Sequence, residues 1–255
     1  MQRQLVSLAP LLLLVVTGKT DPYKRPRFLR LIFPEPTTMP DYATLRANMV
    51  ATQVLANGVT EERILEAFRA VPREVFVPTA KRGIAYAEAP IEIVPGRFML
   101  SPRCFAKLVE LANVRPEETV LDIACATGYS THVLAQLAKR VIGLEEDAAL
   151  VRVASDMQHS LRAANIAIVQ GSLAKGYRDR AHYDVIFIEG GVEVVPEVLL
   201  AQLVEGGRLV AMYRRDAQTR AVIFLNEGGR IGHRLDFDDS AMLLPGFRQP
   251  AGFVF

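Results

Sequence analysis

From Thr119 onward the chain alternates short, β-branched apolar runs with amphipathic helical stretches, and this alternation restricts the fold more than any other feature. The runs are "TVLDIA" at 119–124, "RVIGLE" at 140–145, "IAIVQ" at 166–170, "YDVIFIEG" at 183–190 and "RLVAMY" at 208–213. Between them the spacing predicts helices over Tyr129–Ala138, Asp147–Leu161 and near Pro196–Leu203. Strand, helix and strand repeated in this way predict a mostly parallel, twisted sheet with helices on both faces. The end of the chain breaks the rule. In "RAVIFLNEGGRIGHRLDFDD" two strand-like runs flank Asn226-Glu227-Gly228-Gly229, a hairpin signal, so the sheet is expected to close with antiparallel strands.

Upstream, the pattern from about 41 to 82 is helical. Asn57-Gly58 marks a turn, Thr60 is the expected helix cap with Glu61 and Glu62 behind it, and Ile64, Leu65, Phe68 and Val71 recur at helical spacing before Pro72. Residues 83–102, "GIAYAEAPIEIVPGRFMLSP", are punctuated by proline and glycine without a clear period and read as extended loop, after which "RCFAKLVELANV" resumes a helix. With 255 residues, half of them hydrophobic, the expectation is one catalytic-size domain over 39–255 with a helical N-terminal lobe.

The first 38 residues stand apart. "LVSLAPLLLLVVTG" has the apolar length and small-residue exit of a signal peptide, yet is too short and carries Pro10, so stable membrane insertion is not expected. A start codon read too early, with Met39 the true beginning, or a disordered tail are the competing explanations. Residues 1–38 hold six basic side chains against Asp21 and Glu35, so the formal +2 of the chain divides into +4 there and −2 over the remainder. A slightly acidic body without a basic stripe argues against nucleic-acid binding. Two cysteines and four scattered histidines exclude a disulfide framework and imply no metal site.

In an open parallel sheet the ligand sits at the carboxyl ends of the strands, beside the first strand-to-helix turn. Here that turn reads "DIACATGY". A dinucleotide fingerprint would place glycines at 124, 126 and 129, where the chain has Ala124, Ala126 and Tyr129, and no Gly-Lys-Ser or Gly-Lys-Thr follows. NAD, FAD and a phosphate-cradling loop are therefore not expected. Asp122-x-Ala124-Cys125-Ala126-Thr127-Gly128, followed by "VIGLEED" with Glu145, resembles motif I and the second-strand acid of class I S-adenosylmethionine methyltransferases. The resemblance implies a Rossmann-like fold and S-adenosylmethionine as cofactor, held by Asp122, Ala124, Ala126, Gly128 and Tyr129, with Glu145 accepting from the ribose hydroxyls and Ser172 near the adenine. A ligand without phosphates needs no close-curling glycine loop.

More closely, "MVATQVLANGVTEERILEAFRAVPREVFVP", "AYAEAPIEIVPGRFMLSP", "GYSTHVLAQLAKRVIGLEED" and "PEVLLAQLVEGGRLV" follow one another as in the protein-L-isoaspartate O-methyltransferase family. That resemblance implies methyl transfer to the α-carboxylate of isoaspartyl residues in proteins, a repair reaction. Such a carboxylate, with a pKa of about 3.5, is already ionised and needs no general base. The family's G-Q-T-I-S-Q-P loop is replaced by "GRFMLSP", which puts Leu100 at the serine position. Three readings stay open. Ser101 takes over as the catalytic hydroxyl while Arg97 pairs with a carboxylate; Leu100 and Phe98 make the acceptor pocket apolar; or "FML" is core packing under the loop. A methyltransferase with another acceptor and a non-catalytic cofactor-binding relative are the corresponding alternatives in function. His132 and His159 are expected to be surface or helix-packing residues and Cys125 a small loop residue beside the cofactor, in a cytoplasmic, monomeric protein.

Overall fold

The structure is a computed structural model, and it describes residues 41–215 and 218–249. The expectations for residues 1–38 lie outside the described residues. Helix α1 (Tyr42–Met49), capped by Asp41, continues through a wider turn at 50–54 to Gly58, whose φ of 94° ends it. Helix α2 (Glu62–Ala70) follows, burying Ile64, Leu65 and Phe68. Its N-cap position falls at Glu61 with no side-chain capping bond, so Thr60 is not the cap; Glu62 in the first turn complements the helix dipole instead.

Residues 83–102 are more ordered than their punctuation predicts. Strands β1 (Ile91–Val94) and β2 (Arg97–Met99) pair antiparallel around Pro95-Gly96, with Gly96 at φ 79°. Ile91 and Ile93 alternate with Glu92, a period of two too brief to stand out. Helix α3 (Pro102–Ala112) comes next, with Pro102 in its first turn and Ser101 as its cap. It buries Phe105, Leu108 and Val109, each worth about 1.5–3 kcal/mol of transfer free energy.

The main body alternates as the sequence predicts: β3 (Thr119–Ile123), α4 (Tyr129–Ala135), β4 (Arg140–Glu145), α5 (Ala148–Ser160), β5 (Ile166–Gln170), β6 (Tyr183–Val192), α6 (Glu197–Leu200), β7 (Leu203–Arg215), β8 (Gln218–Glu227) and β9 (Arg230–Asp238). The sheet order is β5-β4-β3-β6-β7-β8-β9. It is parallel from β5 to β7 and antiparallel thereafter, and Gly228 and Gly229 turn β8 into β9 at positive φ. Strand order reverses between β3 and β6, which locates the crevice for a ligand. One core cluster packs the N-terminal helices against Val120, Val185, Phe187 and Val210; a second, containing Leu121, Ile123, Ile186 and Ile188, lies on the other face. No helix among the described residues is long and apolar enough to cross a membrane.

Candidate cofactor and acceptor site

The turn after β3 keeps the path of a glycine loop without the glycines. Ala124 and Ala126 have φ of 67° and 50°, and Gly128 has 93°. A Cβ in the left-handed region costs about 1–2 kcal/mol, so the surrounding bonds must hold the two alanines there. They do: the N–H groups of Ala124 and Cys125 donate to the Leu144 carbonyl at 2.9 and 3.3 Å, Gly128 N–H donates to Cys125 at 2.7 Å, and Ala126 N–H donates to Glu145 at 3.0 Å. The loop's donors thus turn inward onto β4. A phosphate-binding loop points them outward, so this geometry agrees with a ligand that has no phosphate.

Asp122, at the end of β3, is fully buried. Its Oδ2 accepts from the hydroxyls of Ser130 (2.7 Å) and Thr131 (2.6 Å), while Oδ1 has no partner among the described residues. Burial pushes its pKa up to about 7 against the lowering effect of those hydroxyls, and the charge of Glu145 adds to the rise. Tyr129 opens α4 with its ring against Phe76 and Phe105; its hydroxyl is buried and unpartnered, and burial raises its pKa.

Glu145 ends β4 with no exposed surface. Arg97, from β2, grips it through both guanidinium nitrogens, Nη1 to Oε1 at 2.8 Å and Nη2 to Oε2 at 2.6 Å. The N–H groups of Ala126, Glu146 and Asp147 donate to the same carboxylate at 3.0, 2.8 and 3.1 Å. Those five donors already exceed the roughly four lone-pair sites of a carboxylate. A ribose hydroxyl can reach Glu145 only where Arg97 gives way.

The remaining sequence-derived residues fall as follows. Ser101 accepts from Cys104 N–H at 3.2 Å as the α3 cap. Leu100 is 2% exposed, within the main core cluster, and its carbonyl accepts from Arg73 Nη2 at 2.6 Å. Ser172 is exposed just beyond β5, at the start of the short turn 173–175. His132 is buried on α4 with Nδ1 2.7 Å from the Gly128 carbonyl, and burial lowers its pKa; His159 is exposed on α5. Burial also drives the Cys125 thiol well above its ordinary value, which makes it a poor nucleophile.

Two residues that the sequence does not single out complete the cluster. Arg73, in "VPREVFVP", is wholly buried; Nε donates to Ala85 at 2.8 Å, its guanidinium lies 4.8 Å from the Tyr129 ring centre, and Nη1 is unpartnered. Glu189, near the carboxyl end of β6, is 6% exposed with Oε1 unpartnered. A cavity of about 610 Å³ over the outer strands, lined by Glu193, Tyr213, Arg220, Phe224 and His233, contains none of the motif residues. The buried groups at the strand ends have the chemistry; that cavity has only the volume.

The sequence model described as protein-L-isoaspartate(D-aspartate) O-methyltransferase matches residues 45–232. A protein-L-isoaspartate O-methyltransferase of Koribacter versatilis is 33% identical over 198 residues, covering 78% of this chain and 89% of that protein. One from Synechococcus sp. (strain JA-2-3B'a(2-13)) is 37% identical over 178 residues, 69% and 73% of the two chains. A solved protein-L-isoaspartate O-methyltransferase superposes with a TM-score of 0.69 at 23% identity, covering 79% of this chain and 66% of that one. The Plasmodium falciparum protein, solved in complex with S-adenosyl-L-homocysteine, gives 0.68 at 20% identity, covering 78% and 97%. The solved structures share the fold described above, and the family model spans the helical lobe, the loop after β3 and both strand-end acids: the chain belongs to the protein-L-isoaspartate(D-aspartate) O-methyltransferase family.

Proposed function

We propose that the chain transfers a methyl group from S-adenosylmethionine to the α-carboxylate of isoaspartyl residues in peptides and proteins. The observation that carries this reading is the family match over 45–232, which includes every residue discussed for the site. The loop from Asp122 to Tyr129 would hold the methionine portion, Glu145 the ribose and Ser172 the adenine edge. When bound, S-adenosylmethionine supplies an electrophilic methyl on a sulfonium. The chain's own task is then to orient an acceptor that is already ionised and to keep water away. Burial of Asp122, Tyr129, Leu100 and Arg73 suits the second task. For the first, Arg97 is a bidentate carboxylate partner on a short hairpin, and Ser101 places a hydroxyl at the start of α3. Arg97 cannot serve Glu145 and an acceptor carboxylate at once, so ribose binding at Glu145 would free it for the acceptor. A cytoplasmic monomer accompanies this reading, to be checked by fractionation and sedimentation.

The apolar side chain of Leu100 and the capping role of Ser101 favour a second reading, in which the acceptor is another small molecule or protein group. Calorimetric titration of S-adenosylmethionine into the protein, followed by methyl transfer to an isoaspartyl peptide, separates the two. Binding with transfer is the expected result. Binding without transfer would leave only the second reading, and absence of binding would overturn both.

A further inference from the structure

Of the nine side-chain polar atoms buried without a partner among the described residues, four belong to Glu189 and to three groups that act on its charge or feel it: Nη1 of Arg73, Oδ1 of Asp122, Oη of Tyr129 and Oε1 of Glu189. Each such atom costs about 1–3 kcal/mol when left bare, and folded proteins keep them where a water, an ion or a ligand completes the bonds; the Arg73 guanidinium and the Tyr129 hydroxyl also act on one another. Glu189 is the member of this set that neither the cofactor loop nor core packing explains. Asp122 pairs with Phe187 in the parallel register of β3 and β6, and Glu189 lies two residues further along β6, in the stretch where its register with β7 shifts, close enough to Asp122 for the two carboxyls to interact. The sheet's ligand crevice opens between these two strands.

What faces Glu189 defines the chemistry. Asp122 on β3 raises its pKa and Arg73 lowers it, burial being the largest effect and driving it well above the ordinary carboxylate range. Its charge in turn acts on Cys104, in the first turn of α3, and on Tyr129 at the start of α4. Arg73 joins this group to the acceptor loop, because its Nη2 holds the Leu100 carbonyl at 2.6 Å while Nη1 stays free on the same guanidinium. Leu100 itself offers the acceptor no hydroxyl. Tyr129 offers a phenolic O–H from α4 and Ser101 a hydroxyl at the cap of α3; the Glu189 carboxyl, while protonated, is the O–H that β6 adds beside Arg73.

We propose that Glu189 is a specificity-determining residue of the acceptor site, donating a hydrogen bond to the acceptor carboxylate as a neutral acid and repelling it when ionised. This rests on the isoaspartyl reading above and adds to it a pH gate. Because burial holds the carboxyl neutral, and Asp122 adds to this once it ionises near pH 7, transfer is strongest at low and neutral pH and declines as pH rises through the titration of Glu189. The folded state keeps a proton here that the unfolded state releases at the ordinary carboxylate pKa, so stability declines as pH rises from that value to the raised one of folded Glu189.

The test is kcat/KM for an isoaspartyl peptide against pH, with melting temperature and cofactor affinity measured on the same preparations of the full chain. Glu189→Leu is expected to lower kcat/KM about ten- to a hundredfold, the weight of one hydrogen bond to a charged group, with cofactor affinity unchanged. Its melting temperature at alkaline pH should equal or exceed that of the unmodified protein, because a buried unpaired acid is gone. Glu189→Gln, whose amide donates from the same place, should recover most of the lost activity and abolish the alkaline decline. A leucine variant with unchanged activity and pH profile would overturn the inference and leave the isoaspartyl reading standing. A glutamine variant that is inactive while the unmodified protein gains activity with pH would also overturn it, since Glu189 would then be a base for a hydroxyl acceptor. If the unmodified protein binds cofactor yet methylates no isoaspartyl peptide, the substrate reading falls and the inference with it.

Discussion

Replacing Arg97 by leucine removes two of the five donors on Glu145 and leaves a fully buried carboxylate with the N–H groups of Ala126, Glu146 and Asp147. Breaking a buried pair by deleting one partner costs about 3–5 kcal/mol. The three backbone donors that remain place the cost at the low end, about 3 kcal/mol. For a domain of this size each kcal/mol moves the midpoint by about 2–4 °C, so Arg97→Leu should melt about 6–12 °C lower. Cofactor affinity should move the other way. On the proposed role of Glu145, ribose hydroxyls need acceptor positions that Arg97 now fills, and removing the competitor is worth about one charge-assisted hydrogen bond, an approximately tenfold gain in affinity. Thermal melts with and without saturating S-adenosylmethionine, alongside calorimetry, read both effects, since ligand bound only to the folded state raises the midpoint with the logarithm of its affinity. A variant that melts with the unmodified protein would show that the pair contributes no stability. A folded variant with weaker cofactor binding would show that Arg97 assists the cofactor and does not compete with it.

Three further outcomes are expected. Asp122 is neutral in the folded state up to about pH 7 and ionises near pH 4 when unfolded, so stability declines as pH rises between those values; Asp122→Asn should flatten that segment of the curve in urea unfolding at several pH values. Leu100→Ser puts a hydroxyl into the main core in place of a buried isobutyl group and should destabilise by about 2–5 kcal/mol by denaturant titration; a near-neutral result would mean the side chain faces an open pocket. Cys125, its thiol held protonated by burial, should resist alkylation in the native protein and react at once in denaturant, as followed by mass spectrometry.

Local signals carried the sheet, its helices and its antiparallel end, because strands buried on two faces leave near-continuous apolar runs such as "VIGLE" and "YDVIFI" that no surface pattern imitates. Turn chemistry likewise marked Gly228-Gly229. The β1–β2 hairpin leaves no such signal, because strands of four and three residues hold barely one alternation each. At the site, Asp122 and Glu145 are visible as acids ending apolar strands. The pairing of Arg97 with Glu145 spans 48 positions and depends on how the hairpin folds back over the sheet, which no spacing rule encodes. Arg73 looks like half of an Arg-Glu pair in a short loop between prolines, and Glu189 like the solvated end of a strand. Only tertiary packing buries them and turns ordinary surface residues into a shared polar centre.

The inward turn of the loop after β3 also bears on what the site refuses. Adenosine-bearing metabolites with a triphosphate or pyrophosphate present the same base and sugar as S-adenosylmethionine, so recognition of adenosine alone gives no discrimination among them. In this chain the N–H groups of Ala124, Cys125 and Ala126 are already bonded to β4, and two acids, Asp122 and Glu145, stand behind them. A polyanion entering here would meet no free backbone donors from those residues, whereas a ligand without phosphates asks for none. The backbone path itself thus suits a ligand without phosphates, and the two alanines keep that path at the expense of local strain.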